Sequence, residues 1–205
     1  MKKGWMCMAA LAACLLFLQG SALAASFVKK GESGGLPTTY SFSEGEEVTT
    51  SLSFKQANFA GGQKLPVYTG PGTEYFRTGN GYAKASTDEE IYAAGQVGSW
   101  ALIMYPNSQK NGYIVGYVDL SNLQYKISFS KLNFAAQKAN ITTDCMMTNV
   151  PRGVGEDIVA FKAGESVTYL CSYTAQEAWA YVETVIDRVA VRGFIPAGCV
   201  SYTAK

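Results

Sequence analysis

The sequence contains no histidine in its 205 residues, and this absence excludes several classes of enzyme. A Ser-His-Asp or Cys-His nucleophile requires an imidazole base, and catalytic zinc sites nearly always include histidine among their ligands. Hydrolases of those kinds are therefore excluded. Enzymatic mechanisms that remain would have to be built on carboxylates, lysine or tyrosine.

Charge is also scarce, because Asp, Glu, Lys and Arg together make up only 16% of the chain and the formal net charge is +1. No cluster of Lys and Arg follows the N-terminal segment, so we expect no nucleic-acid partner. Hydrophobic residues make up 48% of the chain, which is typical of a globular protein rather than a disordered one. The 21 glycines and 13 tyrosines suit a turn-rich β protein.

The N-terminal segment has the pattern of a secretory signal peptide over residues 1–24. Lys2 and Lys3 precede an apolar run at 6–18, and Ala22-Leu23-Ala24 forms a small-x-small cleavage site. The run is shorter than the about 20 apolar residues of a membrane-spanning helix, so we expect no transmembrane anchor in the mature chain. An alternative is a lipobox that ends at Cys14. Both predict export, to a secreted or wall-associated location, and residues 25–50 are interpreted as a tether.

An internal repeat occupies the rest of the chain. Residues 53–60 align with 128–135 at a spacing of 75, Trp100 aligns with Trp179, and 116–118 align with 193–195. We therefore predict two copies of one domain, over residues 51–124 and 125–205, of which the second is more divergent.

Short β patterns separated by turns predict that both copies are all-β. In the first copy the strands are expected at 65–67, 100–105 and 113–118, with turns at 70–72 and 106–112. In the second copy they are expected at 164–171, 178–186 and 189–195. Residues 87–90 resemble a capped helix, but we interpret them as strand because the equivalent part of the second copy has a β pattern.

A domain of this size buries only about 60% of its unfolded surface, so each copy alone would be marginally stable. We therefore expect four phenylalanines that precede the strands to pack onto the two copies or between them. These residues are Phe54, Phe59, Phe129 and Phe134.

Three motifs occur in a fixed order in the first copy: L-x-V-x-x-G-P-G at 65–72, Gly98-Ser99-Trp100 and Gly116-Tyr117-Val118. In this order they resemble the bacterial SH3 (SH3b) domain family. The resemblance implies two tandem SH3-like small β-barrels and a non-catalytic module that binds cell-wall peptidoglycan, especially its peptides. Two alternatives remain open: an adapter that binds another cell-envelope protein, and a hydrolase that uses carboxylates.

Aromatic residues beside the Gly70-Pro71-Gly72 turn are the candidate ligand site. Tyr and Trp offer large, rigid and partly polar contact surfaces. The candidates are Tyr68, Tyr75, Trp100 and Tyr117, and filling of the two cores is the alternative role for them. The acidic clusters at 44–47, 88–90 and 156–157 are interpreted as solvated charge. We predict no catalytic residue, no metal site and no cofactor.

The cysteines of the mature chain are Cys145, Cys171 and Cys199, all in the second copy. Their number and spacing match no zinc site and no redox Cys-x-x-Cys motif. We interpret them as small buried residues, with a Cys171–Cys199 bridge as the alternative in an oxidising compartment.

Overall fold

The structure, a computed structural model, describes residues 47–151 and 155–202. Within these ranges the regular structure consists of β-strands and three short 3-10 turns, and no α-helix is present. The predicted all-β fold is confirmed. The predicted signal peptide and nearly all of the predicted tether lie outside the described residues.

Across the described ranges, no helix has the length and apolar character that crossing a membrane would require.

Residues 47–124, called the first half below, contain six strands. They are β1 (Lys55–Ala57), β2 (Lys64–Pro66), β3 (Lys84–Ser86), β4 (Ile91–Val97), β5 (Trp100–Pro106) and β6 (Tyr113–Asp119). β1, β4, β5 and β6 form one sheet in that order, and β2 pairs with β3. All of these pairs are antiparallel. Residues 87–90 form a turn before β4, so their interpretation as strand is wrong.

Residues 125–151 and 155–202, called the second half below, contain seven strands. They are β7 (Gln137–Ile141), β8 (Cys145–Thr148), β9 (Asp157–Phe161), β10 (Ser166–Thr174), β11 (Ala178–Ile186), β12 (Val189–Pro196) and β13 (Val200–Tyr202). They form one sheet in the order β13-β7-β10-β11-β12-β8-β9. The predicted turn at Asp187-Arg188 is present, with positive φ angles of 48° and 68° at its two residues, as a tight hairpin of the primed type requires.

The two halves repeat the same order of strand pairing. β1-β4-β5-β6 corresponds to β7-β10-β11-β12, β2-β3 corresponds to β8-β9, and a 3-10 turn follows both β6 and β12. A bulge interrupts both equivalent strands, between Ala93 and Gly95 in β4 and between Tyr169 and Cys171 in β10. The sheets are open, and no closed barrel is found among the described residues.

The interior has three hydrophobic layers, one within each half and one between the halves. Alternate residues of β5 show the division, because Ala101 and Ile103 belong to the core of the first half whereas Leu102 faces the layer between the halves. We call the latter the shared layer. Its buried residues are Leu52, Leu102, Val115, Tyr117, Leu132, Phe134, Leu170, Cys171, Tyr181 and Phe194. The two halves are therefore joined through the sheet faces that a free-standing domain would expose.

The segment at the start of each half, ahead of its first strand, pairs with a strand of the other half. Leu52 donates its N–H to the carbonyl of Ser172 in β10 over 2.9 Å, and Leu132 donates to the carbonyl of Gln96 in β4 over 2.7 Å. The bridges Ser51–Ser172 and Gln96–Lys131 are both parallel. Lys131 therefore occupies the position of Ser51 rather than that of Gln56, to which the spacing of 75 assigns it.

The four phenylalanines of these segments pack in the interior as expected. Phe134 is buried in the shared layer and Phe54 packs against it. Phe59 and Phe129 pack against the core of the first half, with their ring centroids 5.9 Å apart.

Candidate functional site

The structure separates the four predicted aromatic residues into two pairs. Tyr68 and Trp100 are half-buried, and their rings form a T-shaped pair with centroids 5.6 Å apart. The guanidinium of Arg77 lies 5.5 Å from the centre of the Tyr68 ring, within the range of a cation–π contact. Arg77 is fixed there because its Nε and Nη2 donate to the carbonyl of Ala83 over 3.2 and 2.8 Å. These residues form a partly open aromatic and cationic surface.

The backbone beside this surface depends on Gly116. Tyr68 and Tyr117 exchange two backbone hydrogen bonds of 3.0 and 2.7 Å, which bring the chain after β2 against β6. A Cβ on Gly116 would lie 2.9 Å from the carbonyl oxygen of Tyr68 and 2.4 Å from Cγ1 of Val67. Because the first of these contacts is to backbone, a larger residue could not be accommodated without moving the chain.

Tyr75 and Tyr117, the other two predicted residues, are interior residues with exposures of 7% and 0%. Neither ring offers a surface to a ligand in this structure, and both take the alternative role of filling the interior. The ring of Tyr75 lies directly over Gly70, where a Cβ would come within 2.0 Å of it. The glycine of the predicted turn thus makes room for a buried tyrosine.

The hydroxyls of both tyrosines join a buried ion pair. Arg192 Nε contacts Glu183 Oε2 at 2.6 Å, and both side chains are 1% exposed. The Tyr75 hydroxyl donates to Glu183 Oε2 over 2.9 Å, and Arg192 Nη1 donates to the Tyr117 hydroxyl over 3.0 Å. The guanidinium also lies over the rings of Tyr75, Tyr117 and Phe134, 5.3 to 5.6 Å from their centres. We call these five residues the buried polar cluster.

This cluster connects the halves, because Glu183 and Arg192 belong to the second half and Tyr75 and Tyr117 to the first. Burial raises the pKa of the Tyr117 hydroxyl, and the Arg192 charge opposes that rise. Desolvation of a buried ion pair is costly unless its polar atoms find partners. The two tyrosine hydroxyls supply such partners, so the arrangement indicates a structural role.

A separate groove of about 610 Å³ opens between the β2-β3 pair and the β5-β6 hairpin of the first half, and Glu156 of the second half also lines it. We call it the Tyr82 groove. Tyr82 is 78% exposed and follows the 3-10 turn Gly79–Gly81. The charged and aromatic residues that line the groove are Lys64, Tyr82, Lys84, Glu89, Tyr105 and Glu156.

The strand register explains why the two lysines face this groove. Lys64 pairs with Ser86, and Pro66 pairs with Lys84, so both lysines lie on one face of the β2-β3 pair. Leu65, on the opposite face, is buried in the core of the first half. Both lysine side chains are exposed.

Carboxylates line the other side of the groove. Glu156 Oε2 accepts a hydrogen bond of 2.9 Å from the backbone N–H of Gly79. Glu89 forms an ion pair with Lys110, in which Oε1 and Nζ are 3.1 Å apart. The Tyr105 side chain is buried. Burial and the Glu156 charge raise the pKa of Tyr105, whereas Arg77 lowers it. Tyr105 is therefore a neutral phenol at physiological pH, suited to hydrogen bonding rather than to proton abstraction.

Sequence reasoning did not select the residues of this groove. One signal was present, because Gly79-Asn80-Gly81 is a turn sequence and all three residues have positive φ angles of 53° to 84°. Such a turn holds the aromatic residue that follows it at the surface. Glu89 and Glu156 belong to acidic clusters that were interpreted only as solvated charge.

In residues 47–151 and 155–202 no group of three or more His, Cys, Asp or Glu side chains could hold a metal ion. Comparisons with known proteins give no match to a family model, to a curated protein or to a solved structure.

Proposed function

We propose that this protein is an exported, non-catalytic binding module that recognises cell-wall peptidoglycan peptides in the Tyr82 groove. The observation that carries the proposal is the groove itself, which combines two exposed lysines, two carboxylates and an exposed tyrosine in about 610 Å³. Peptides of the cell wall present carboxylates, amines and amide groups on a short chain. Lysines can bind the carboxylates, Glu89 and Glu156 can bind the amines, and Tyr82 can pack on the chain.

We further propose that the two halves are SH3-like barrels joined side by side. Three features support this interpretation: the repeated strand order, the matching bulges in β4 and β10, and the 3-10 turns that follow β6 and β12. The order of sequence motifs in the first half supports it independently. Export is part of the proposal and rests on the signal-peptide pattern of residues 1–24.

The chemistry of the groove favours binding over catalysis. A carboxylate hydrolase that cleaves glycosidic bonds needs two carboxyl groups about 5–10 Å apart and free to act on either side of the bond. Glu156 is instead engaged by the backbone of Gly79 and Glu89 by Lys110. Both carboxylates are therefore suited to fixed electrostatic recognition.

Co-sedimentation of the mature chain with purified peptidoglycan tests the proposal. Removal of a central contact residue typically costs about 2 kcal/mol, near thirtyfold in affinity, so we expect Tyr82→Ala and the double variant Lys64→Gln/Lys84→Gln each to weaken binding at least about tenfold. A matched control is Lys55→Gln/Lys138→Gln, which removes two exposed strand lysines away from the groove. We expect the control to bind like the parent protein.

The remaining outcomes distinguish the alternatives. Loss of binding in Tyr68→Ala or Trp100→Ala, with Tyr82→Ala unaffected, would move the site to the Tyr68–Trp100 pair. A parent protein that does not sediment with the wall would contradict the proposal and favour an adapter for another envelope protein. Release of soluble wall fragments over time would contradict the non-catalytic assignment.

A further inference from the structure

Two of the three described cysteines lie side by side although they are far apart in the sequence. Cys145 is the first residue of β8, and Cys199 ends the 3-10 turn after β12. Thr142, just before β8, donates its backbone N–H to the carbonyl of Cys199 over 2.9 Å. Its hydroxyl donates to the carbonyl of Gly198 over 3.2 Å. The chain that enters β8 is thus held against the turn that carries Cys199.

The side chains meet as well. The two thiols are also close enough for Cys199 to raise the pKa of the Cys145 thiol, in addition to burial. Cys145 and Val200, the residue after Cys199, both pack against the core of the second half. Both cysteine side chains are half-buried and free in this structure. The Thr142 hydrogen bonds and the packing of Cys145 and Val200 on one core are two independent observations that place the cysteines together.

The third cysteine lies elsewhere. Alternation over residues 164–171 places Val167, Tyr169 and Cys171 on one face of a regular strand. The bulge between Tyr169 and Cys171 changes this, because it turns the residues after it to the opposite face. Cys171 is consequently fully buried in the shared layer, away from the core against which Cys145 packs. The sequence left a Cys171–Cys199 bridge open as the alternative. The fold does not favour that bridge, because Cys171 lies in a different layer from Cys145.

We propose that Cys145 and Cys199 form an intramolecular disulfide when the protein meets an oxidising compartment. The setting rests on the proposed export, whereas the pairing itself is independent of the proposed ligand. The bond would link the start of β8 to the segment that leads into β13, the last strand among the described residues, and thereby add a covalent link between two parts of the same sheet.

The reaction is a thiol–disulfide exchange with an external disulfide. The Cys199 thiolate attacks one sulfur of that disulfide and releases the first external thiol. The Cys145 thiolate then attacks the Cys199 sulfur of the mixed disulfide and releases the second thiol. Two protein thiols are oxidised, one external disulfide is reduced to two thiols, and the two protons of the protein thiols pass to the departing thiolates.

The environment of Cys145 is consistent with this order of attack. Burial, the adjacent Cys199, Asp144 and Glu165 together raise the pKa of the Cys145 thiol to about 12. Cys145 is therefore a poor first nucleophile. Once Cys199 is in a mixed disulfide, the attack by Cys145 is intramolecular, and this proximity favours it over attack by a further external thiol.

Equilibration of the reduced mature chain with a mixture of reduced and oxidised glutathione tests the proposal. After acid quenching, intact mass should show the loss of two hydrogen atoms without a glutathione adduct. Peptide mapping should recover a linked pair that contains Cys145 and Cys199. We expect alkylation of these two cysteines in the native protein to become at least about tenfold slower than in the reduced chain.

Three matched variants complete the experiment. Cys171→Ala should form the same bond, whereas Cys145→Ser and Cys199→Ser should retain a free or glutathionylated thiol at the remaining position. Persistent mixed disulfides at both Cys145 and Cys199, or a bridge that contains Cys171, would overturn the proposal. Circular dichroism of each variant establishes that it is folded before oxidation is scored.

Discussion

Replacing Arg192 by Met removes the positive half of an ion pair in which both side chains are 1% exposed. The Glu183 carboxylate would stay buried without its 2.6 Å partner. Breaking a buried pair in this way typically costs about 3–5 kcal/mol. Since small domains are stable by about 5–15 kcal/mol, we expect Arg192→Met to remove a large part of the free energy of unfolding.

The first half of the protein shows how the same position is filled without charge. Glu183 lies opposite Arg192 in the β11-β12 pair, and the equivalent partners in the β5-β6 pair are Met104 and Val115. The double variant Glu183→Met/Arg192→Val therefore copies a pair that this fold already contains. Replacing a buried ion pair by apolar residues is often neutral or stabilising. Two tyrosine hydroxyls would lose partners in the double variant, at about 1–3 kcal/mol for each unsatisfied group.

Urea unfolding measures both changes. Fluorescence reports on Trp100 and Trp179, one in each half, and coincident transitions would show that the halves unfold together. We expect the double variant to be at least about 2 kcal/mol more stable than Arg192→Met. The control is Lys162→Met, which breaks the 2.6 Å pair with Asp144 at side-chain exposures of 77% and 56%. An exposed pair contributes about 0–1 kcal/mol, so this variant should resemble the parent protein.

The reasoning would be refuted if the double variant lost as much stability as the sum of the losses in Glu183→Met and Arg192→Val measured singly. That result would mean that the charges themselves, rather than the burial of an unpaired charge, stabilise the layer between the halves. Equal stabilities of Arg192→Met and Lys162→Met would refute the burial of the pair.

The remaining predictions concern packing, pH and processing. Gly116→Ala should destabilise the fold by about 1–3 kcal/mol through overpacking against the Tyr68 carbonyl, and unchanged urea unfolding would contradict the close approach. A hydrogen bond to Glu90 raises the pKa of Tyr92 to about 12, and burial raises those of Tyr117 and Tyr181. The folded protein thus keeps tyrosine protons that the unfolded chain loses near pH 10, so the contribution of these tyrosines to stability should be constant below about pH 10 and be lost above it. Ultraviolet titration in which every tyrosine ionises near pH 10 with the fold intact would contradict this. The exported chain should begin at Ala25, and a lipidated form that begins at Cys14 would show that the lipobox is used instead.

Much of the strand architecture could be predicted, because alternation and turns are local signals. The predicted strand 178–186 coincides with β11, and the strands predicted at 100–105 and 113–118 each fall within one residue of β5 and β6. The pairing of residues 51–52 with β10 and of residues 131–132 with β4 could not be predicted. Its partners, Gln96 and Ser172, lie far from Leu132 and Leu52 in the sequence, and nothing in the segments themselves indicates the half with which they pair.

The positions of the two bulges could not be predicted from the sequence either. In β4 the bulge is at Gly95, whose φ of 154° favours glycine, but in β10 the equivalent residue is Cys171 and no glycine marks the site. A single extra residue reverses every side chain that follows it, so the side chain of Cys171 could not be placed from alternation alone. Without that placement, the sequence could not distinguish a Cys145–Cys199 pair from a Cys171–Cys199 pair.

The four predicted site residues do not line the Tyr82 groove, for a reason that lies in the shared layer. In an isolated small domain, one face of the β5-β6 and β11-β12 hairpins would be exposed to water, and Tyr117, Glu183 and Arg192 would suit such a face. In this protein the same face is covered by the other half, so those polar residues are buried and satisfy one another. A ligand site of the proposed kind would therefore lie away from the joined faces. The β2-β3 pair meets this condition, since Leu65 and Ala85 on one of its faces are buried in the core of the first half while Lys64 and Lys84 on the other line the Tyr82 groove.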